Sequence, residues 1–180
     1  MTFERAMALI GIALIAFLIG SFSPAIIISN SVQKRDIRKY GSGNAGTTNM
    51  ARTFGVKFGA FTFLGDVLKG ALVAYLSILA SQLLGETGIR YAVIAGSVFV
   101  VVGHNWPVYY SFRGGKGVAT TLGVLLVHMP VPTLVCLVPT IAIMLISKTV
   151  SLGSIMGVLF AVIAAFIAYP QFSEIHILVI

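Results

Sequence analysis

Two polar, glycine-rich segments interrupt a chain that is otherwise strongly apolar, and their residue types suit the binding of an anion. The first segment is Gly41–Arg52 and the second is Gly103–Thr120. Glycine lets the backbone approach a ligand closely and adopt positive φ, while arginine and lysine supply positive charge. Polar groups are costly beside a lipid bilayer unless they find a partner. The two segments therefore predict the binding of an oxyanion, above all a phosphate.

The first segment alternates glycines with hydroxyl and amide side chains and ends on Arg52. Backbone N–H groups and short polar side chains can surround an oxyanion, and a guanidinium can donate two parallel hydrogen bonds to it. The same residue types also occur in ordinary loops. The preceding basic cluster Lys34–Lys39 is typical of a cytoplasmic helix end, and we interpret it as a topology anchor. The candidate substrate-binding residues of this segment are Ser42, Gly43, Asn44, Thr48, Asn49 and Arg52.

The second segment places Lys116 among glycines just before a helix expected to begin near Val118. A helix N-terminus offers free N–H groups and a favourable dipole, so a lysine beside it makes an anion site. A nucleotide-binding P-loop is excluded, because Gly117 follows Lys116 where serine or threonine is needed, and Tyr110 occupies the place of the first glycine. The candidate substrate-binding residues of this segment are Gly114, Gly115, Lys116, Gly117 and Thr120.

Three further ionisable residues are candidates with competing interpretations. His104 could be a base, a donor to phosphate, or an interfacial histidine without a chemical role. Asp66 and Lys69 stand three residues apart in an apolar run, close enough to pair on one helix face. Such a pair is either a buried structural ion pair or support for a functional site.

The composition indicates a polytopic membrane protein. Hydrophobic residues make up 58% of the chain and charged residues 9%, against roughly 25% charged in soluble domains. The net charge is +7, but the basic residues lie between apolar runs and form no soluble basic face. This argues against nucleic acid as a partner. Cys136 is the only cysteine, so an intrachain disulfide is impossible, and it is expected to serve packing. We expect one transmembrane domain over residues 1–180.

The apolar runs predict an all-α fold of about seven transmembrane helices, the first of them uncleaved. Ten of the twelve lysines and arginines fall on one side if the N-terminus lies outside, which predicts that both glycine-rich segments and Ser151 face the cytoplasm. The fourth and fifth runs, Gly117–His128 and Val131–Ser147, could instead be one kinked helix, although the closely spaced prolines Pro130 and Pro132 favour a turn. The runs are Ala6–Ser29, Phe61–Leu84, Tyr91–Val102, Gly117–His128, Val131–Ser147, Leu152–Tyr169 and Ile175–Ile180.

The two segments and their neighbours resemble the bacterial acyl-phosphate:glycerol-3-phosphate acyltransferases. The first family motif, G-S-G-N-x-G-A-T-N-x-x-R, matches Gly41–Arg52 except that Thr47 replaces the alanine. The second, G-H-x-x-P-x-x-x-x-F-x-G-G-K-G-V-A-T, matches Gly103–Thr120 at every fixed position. Asp66–Gly70 resembles the family's second helix, and the third motif resembles a segment that contains Ser151 and Ser154. The resemblance covers essentially the whole chain.

The resemblance implies an integral enzyme of the bacterial inner membrane with its active site facing the cytoplasm. Such enzymes transfer a fatty acyl group from acyl phosphate to the 1-hydroxyl of sn-glycerol 3-phosphate, giving lysophosphatidic acid and phosphate, with no metal or cofactor. It implies phosphate-holding roles for Ser42, Arg52 and Lys116. The expected catalytic residues are His104, Lys116 and Arg52. Ser151 and Ser154 join the expected substrate-binding set, and a monomer is the expected state.

The C-terminal end of the chain departs from the family pattern, and two other functions are alternatives to the family's. Family members continue past the last helix into a basic tail that carries His and, three residues later, Asn, whereas Ile175–Ile180 is too short to cross a bilayer. We therefore expect a truncated seventh helix. A small transporter for a phosphorylated solute is the alternative function, but it should line a path across the bilayer with polar residues. A membrane anchor subunit would leave both long motifs unexplained.

Overall fold

The computed structural model describes residues 2–82 and 85–168, with side chains for all of these except residues 85–89. Within these ranges the chain contains helices and no strand, so the expected all-α fold is confirmed. Of two short 3₁₀ helices, Ile37–Lys39 lies just before the first glycine-rich segment and Val108–Tyr110 lies within the second. The α-helices are α1 (Phe3–Gly20), α2 (Pro24–Ser31), α3 (Thr47–Phe54), α4 (Val56–Gln82), α5 (Gly85–Asn105), α6 (Val118–His128), α7 (Pro130–Ser147) and α8 (Val150–Ala168).

Five stretches of the described chain are long and apolar enough to cross a membrane: Phe3–Ser31, Val56–Gln82, Arg90–Tyr110, Pro130–Ser147 and Val150–Ala168. The shorter helix α6 is also apolar. The expected seventh run lies outside the described residues, so the helix count and the orientation remain predictions. α6 ends at His128 and α7 begins at Pro130, so the fourth and fifth runs are two helices. The two prolines lie in the first turn of α7.

The first apolar run differs from its expected form, because it is two helices rather than one. Ser23 caps the N-terminus of α2 by accepting a hydrogen bond from the Ile26 N–H at 3.4 Å, and Pro24 occupies the first helical position. Proline has no N–H to donate and its fixed φ suits that position, so this pair starts a new helix inside the run. The break between α1 and α2 leaves the Phe22 carbonyl without an intrahelical partner.

The chain folds as two compact units, one ending at Val124 and the other beginning at Leu125. In the first unit α1 and α4 both pack against α5, and α3 packs against α4. Glycines permit close approach there: a Cβ on Gly20 would overlap the Val100 carbonyl, and one on Gly123 would overlap the Val67 carbonyl. Small residues at helix contacts are typical of membrane proteins. In the second unit α7 packs against α8, and Gly153 of α8 faces Met144 of α7.

Gly20 and Gly11 of α1 provide a matched test of this packing. Gly20→Ala should destabilise the protein by about 1–3 kcal/mol, because the added methyl group meets the backbone of α5, which cannot move aside cheaply. Gly11→Ala has no atom within 4 Å of the new Cβ and gains the same helix propensity, so it should leave stability unchanged or slightly raised. Thermal unfolding in detergent measures both. Equal melting temperatures for the two variants would contradict the packing described here.

Candidate active site

The first glycine-rich segment forms a loop that a single buried side chain holds in place. Asn49 is 3% exposed, and its Nδ2 donates to the carbonyls of Tyr40 and Asn44, both at 3.0 Å, and more distantly to that of Ile37. Its Oδ1 accepts from the Ser42 N–H at 3.1 Å. The amide is fully used by these bonds, so Asn49 shapes the loop. Gly41 and Gly43 have φ values of +56° and +72°, which favour glycine over any residue with a Cβ.

An apolar cluster supports the loop from below. Ala45 and Met50 are fully buried against residues of α2 and the first 3₁₀ helix. Gly46 precedes α3 and makes no side-chain capping bond. The Oγ1 atom of Thr47, the first residue of α3, is buried and has no hydrogen-bond partner among the described residues. The N-terminus of α3 therefore keeps free polar groups next to the loop.

The second glycine-rich segment folds back over the C-terminal end of α5. The Gly114 N–H donates to the Asn105 carbonyl at 3.2 Å, and the Gly115 N–H donates to the His104 carbonyl at 3.1 Å. Helix ends leave such carbonyls unpaired, and the loop satisfies them. Gly117 follows with a φ of +79° just before α6, which begins at Val118 as the sequence predicted.

The two loops contact each other. The Ala45 N–H lies 3.4 Å from the Gly114 carbonyl, and a Cβ on Gly115 would meet the Ala45 carbonyl. Arg38 adds a second link, because its Nη1 donates to the Tyr110 carbonyl at 2.7 Å. The sequence predicts the two segments on one side of the membrane, and in this unit they lie in contact with each other.

Arg38 makes contacts within the fold, in addition to the topology role that the sequence predicts for the basic cluster Lys34–Lys39. Its guanidinium makes bidentate hydrogen bonds to Asp36, with the shortest N–O distance 2.8 Å. These bonds hold the pKa of Asp36 below its usual value, against the opposing effect of burial. The carboxylate is therefore ionised at neutral pH, and its stabilising contribution would be lost only as the pH falls through the lowered pKa. No sequence signal separates Arg38 from its basic neighbours.

A buried polar cluster lies where the ends of several helices meet. Lys69 Nζ is 2.8 Å from Asp66 Oδ1, 2.8 Å from the Phe22 carbonyl and 2.9 Å from His104 Nδ1. Thr120 Oγ1, at the start of α6, is 3.2 Å from the same ring nitrogen. All four side chains are at most 6% exposed. The expected pairing of Asp66 with Lys69 is present, and the pair also contacts His104 and Thr120.

The two cations of the candidate site outside this cluster have a different environment. Arg52 and Lys116 are exposed, and neither makes a hydrogen bond or ion pair with another residue in the described part of the chain. Arg52 lies in the last turn of α3, and Lys116 lies two residues before α6. Ser42 and Gly43 are exposed on the first loop, and Thr48 is half-buried in α3. Ser151 and Ser154 lie in the first turns of α8, in the second unit, where the Ser154 hydroxyl donates to the Val150 carbonyl at 2.8 Å.

The fold and the site together define a polytopic all-α membrane protein with two interlocked, cation-bearing loops. The chain belongs to the glycerol-3-phosphate acyltransferase family, whose model matches residues 10–180. This confirms the resemblance on which the sequence analysis relied.

Relatives and solved structures agree with this membership. A glycerol-3-phosphate acyltransferase of Clostridioides difficile (strain 630) is 48% identical over 147 residues, covering 82% of this chain and 72% of the relative. One from Neisseria meningitidis serogroup C (strain 053442) is 40% identical, with 89% and 80% covered. The crystal structure of PlsY, an integral membrane glycerol 3-phosphate acyltransferase in its glycerol 3-phosphate form, is 31% identical with a TM-score of 0.76, covering 95% of this chain and 86% of that one. A lysophosphatidic acid form of PlsY is also 31% identical with a TM-score of 0.76, covering 95% of this chain and 83% of that one.

Arg38 and Lys39 are adjacent cations that should behave differently. Arg38→Gln removes the link to Tyr110 and the pairing with Asp36, so the loops should lose their alignment and acyltransfer should fall by roughly 10-fold. Lys39→Gln removes an exposed charge and should leave turnover within about twofold. Initial rates of glycerol 3-phosphate acylation, measured on variants with matched membrane insertion, decide between them. Equal rates would show that Arg38 is part of the topology anchor alone.

Proposed function

We propose that this chain, a glycerol-3-phosphate acyltransferase by family, takes its acyl group from acyl phosphate. The 1-hydroxyl of sn-glycerol 3-phosphate attacks the acyl carbonyl, the bond from that carbon to the phosphate oxygen breaks, and lysophosphatidic acid and inorganic phosphate are released. The hydroxyl proton leaves with the departing phosphate. The observation that carries the proposal is the pairing of two interlocked loops with two cations that have no partner in the described part of the protein.

The donor needs no enzyme nucleophile, because acyl phosphate is a mixed anhydride with a good leaving group. Two substrates that each carry a phosphate must, however, approach one another against their mutual repulsion. Positioned cations and backbone N–H groups lower that cost, and most of the catalytic effect then comes from orientation and electrostatic stabilisation. Arg52 and Lys116 are suited to this role because no group of the described chain neutralises them.

The two cations differ in what they can do. A guanidinium makes a planar two-point contact with a phosphate, whereas an ammonium acts as a compact charge. We assign Arg52 to the bidentate contact, with Ser42, Gly43, Asn44 and Thr48 around it. We assign Lys116 to the second phosphate, beside the N-terminus of α6, whose free N–H groups and dipole add to its attraction.

We further propose that the protein lies in the inner membrane and that both loops face the cytoplasm. Ten of the twelve lysines and arginines would then lie on the cytoplasmic side, as the positive-inside rule requires. The contacts between the loops support a common side for both of them. Glycerol 3-phosphate would enter from the cytoplasm, and the acyl chain would lie among helices open to lipid.

The choice of donor is tested by direct comparison. The purified chain, reconstituted with labelled glycerol 3-phosphate, should form labelled lysophosphatidic acid from acyl phosphate and negligible product from acyl coenzyme A. The reason is that the loops supply phosphate-binding groups but no extended polar surface for a large carrier. Comparable turnover with acyl coenzyme A, in a preparation free of enzymes that make acyl phosphate, would overturn this assignment.

The roles of the two cations are tested by substitution. Arg52→Ala and Lys116→Ala should each lower kcat/KM by about 10- to 150-fold, the value of a lost hydrogen bond to a charged group in the transition state. Arg52→Lys should recover little activity, because a point charge cannot reproduce the two-point contact.

Lys57→Ala is the matched control, since Lys57 is an exposed cation near the start of α4, outside both loops. It should retain wild-type kinetics. All variants must insert in the membrane and remain monodisperse in detergent. Full activity of both Arg52→Ala and Lys116→Ala would place the phosphate site elsewhere.

A further inference from the structure

We propose that Lys69 fixes His104 as a neutral imidazole with its proton on Nε2, so that His104 donates a hydrogen bond to a substrate phosphate oxygen and is not a general base. In this proposal Lys69 and Asp66 are positioning residues that act through the ring. The proposal rests on the acyl transfer described above and goes further by assigning the protonation state and the role of His104.

The first step concerns the number of donors on Lys69. A charged ammonium has three N–H groups and no acceptor. Its three neighbours are Asp66 Oδ1 at 2.8 Å, the Phe22 carbonyl at 2.8 Å and His104 Nδ1 at 2.9 Å. The Phe22 carbonyl accepts one N–H, and the Asp66 carboxylate faces the ammonium as an ion pair. Since a charged ammonium can only donate, its 2.9 Å contact with Nδ1 requires a lone pair on that nitrogen.

The second step concerns the charge of the pair. Asp66 and Lys69 are 1% and 6% exposed, and a buried carboxylate without a cationic partner would be very unfavourable. Their mutual attraction therefore favours the charged form of both. A protonated Nδ1 would place an N–H of the ring against an N–H of the ammonium at 2.9 Å. The contact between Nδ1 and Asp66 Oδ1 is longer, at 3.2 Å, than the contact between Nδ1 and the ammonium.

The third step follows the other side of the ring. In a neutral imidazole with a bare Nδ1, the proton must be on Nε2. Nε2 lies against Gly115, where a Cβ would overlap it, and the Ala45 carbonyl borders the same space. Nε2 makes no hydrogen bond to any residue that the structure describes, although His104 is only 5% exposed. A donor without a protein partner, beside two loops proposed to bind phosphate, is free to donate its hydrogen bond to a ligand.

This arrangement also explains why position 115 is glycine. Any side chain there would displace the imidazole or cover its Nε2. With glycine, the donor is left open toward both loops. The ring then contributes a hydrogen bond to a phosphate oxygen, and its Nδ1 lone pair is already occupied by Lys69. Neither nitrogen is left to accept a proton from the substrate hydroxyl.

The tautomer can be measured directly. In protein labelled with ¹⁵N-histidine in detergent, the His104 signals, identified by their loss in His104→Gln, should show a bare Nδ1 and a protonated Nε2 at neutral pH. Lys69→Met together with Asp66→Asn removes the ammonium and leaves no buried charge, so the two neutral tautomers should then become mixed. A proton on Nδ1, or on both nitrogens, in the wild-type chain would overturn the proposal.

Two substitutions of similar size test the chemical role. Gln places an amide N–H near the position of Nε2, whereas Asn reaches only the position of Nδ1. His104→Gln should therefore lose clearly less activity than His104→Asn, which should lose about 10- to 150-fold in kcat/KM. A larger KM for glycerol 3-phosphate, or instead for acyl phosphate, would identify which phosphate receives the bond. Equal losses in both variants would indicate a base and overturn the proposal.

The failure of this proposal is distinguishable from failure of the proposed reaction. A wild-type chain with no turnover on acyl phosphate would contradict the reaction, and the nitrogen spectrum would still decide the tautomer. Conversely, an active chain with a protonated Nδ1 would keep the reaction and refute the role of Lys69. Lys57→Met, on the same helix but exposed, is the control and should change neither the spectrum nor the rate.

Discussion

One buried ammonium group holds together the parts of the chain on which the site depends. Lys69 Nζ joins the break between α1 and α2, through Phe22, to the end of α5, through His104, while its own helix supplies Asp66. Without it the Phe22 carbonyl would lose its hydrogen-bond donor and the Asp66 carboxylate its ammonium partner, and unpaired buried polar groups and charges are strongly destabilising. The interrupted first helix and the neighbouring ion pair are therefore parts of one arrangement.

The polar side chains of the two loops fall into two groups, those with partners inside the protein and those without. Side chains that shape the loops, such as Asn49 and Arg38, use their polar groups within the protein. Arg52 and Lys116 make no such bonds within the described ranges and are exposed. A site that must hold two phosphates needs both properties, because rigid loops fix the geometry while cations without internal partners retain their charge for the substrates. His104 combines them, with one nitrogen held by the cluster and the other facing the loops.

Much of the site was predictable from sequence because its residues are contiguous in two motifs. Arg52 and Lys116 could be proposed as phosphate-binding residues without a structure. The start of α6 near Val118 could be predicted in the same way. The break at Ser23-Pro24 also had a local signal, a capping residue followed by proline, but the high hydropathy of the run led to an expectation of one helix. The bond from Arg38 to Tyr110 and that from Lys69 to Phe22 link residues 72 and 47 positions apart. No periodicity or motif encodes such distant contacts, so they emerge only from the folded chain.

We propose that the two loops form one substrate site for both phosphates, next to the cluster at Lys69. The most direct test is an experimental structure of this chain with glycerol 3-phosphate bound. The account predicts a phosphate in contact with the loops, within hydrogen-bonding distance of the guanidinium of Arg52 or the ammonium of Lys116, and His104 Nδ1 in contact with Lys69. A phosphate bound away from both loops, or His104 Nδ1 turned out of contact with Lys69, would contradict it.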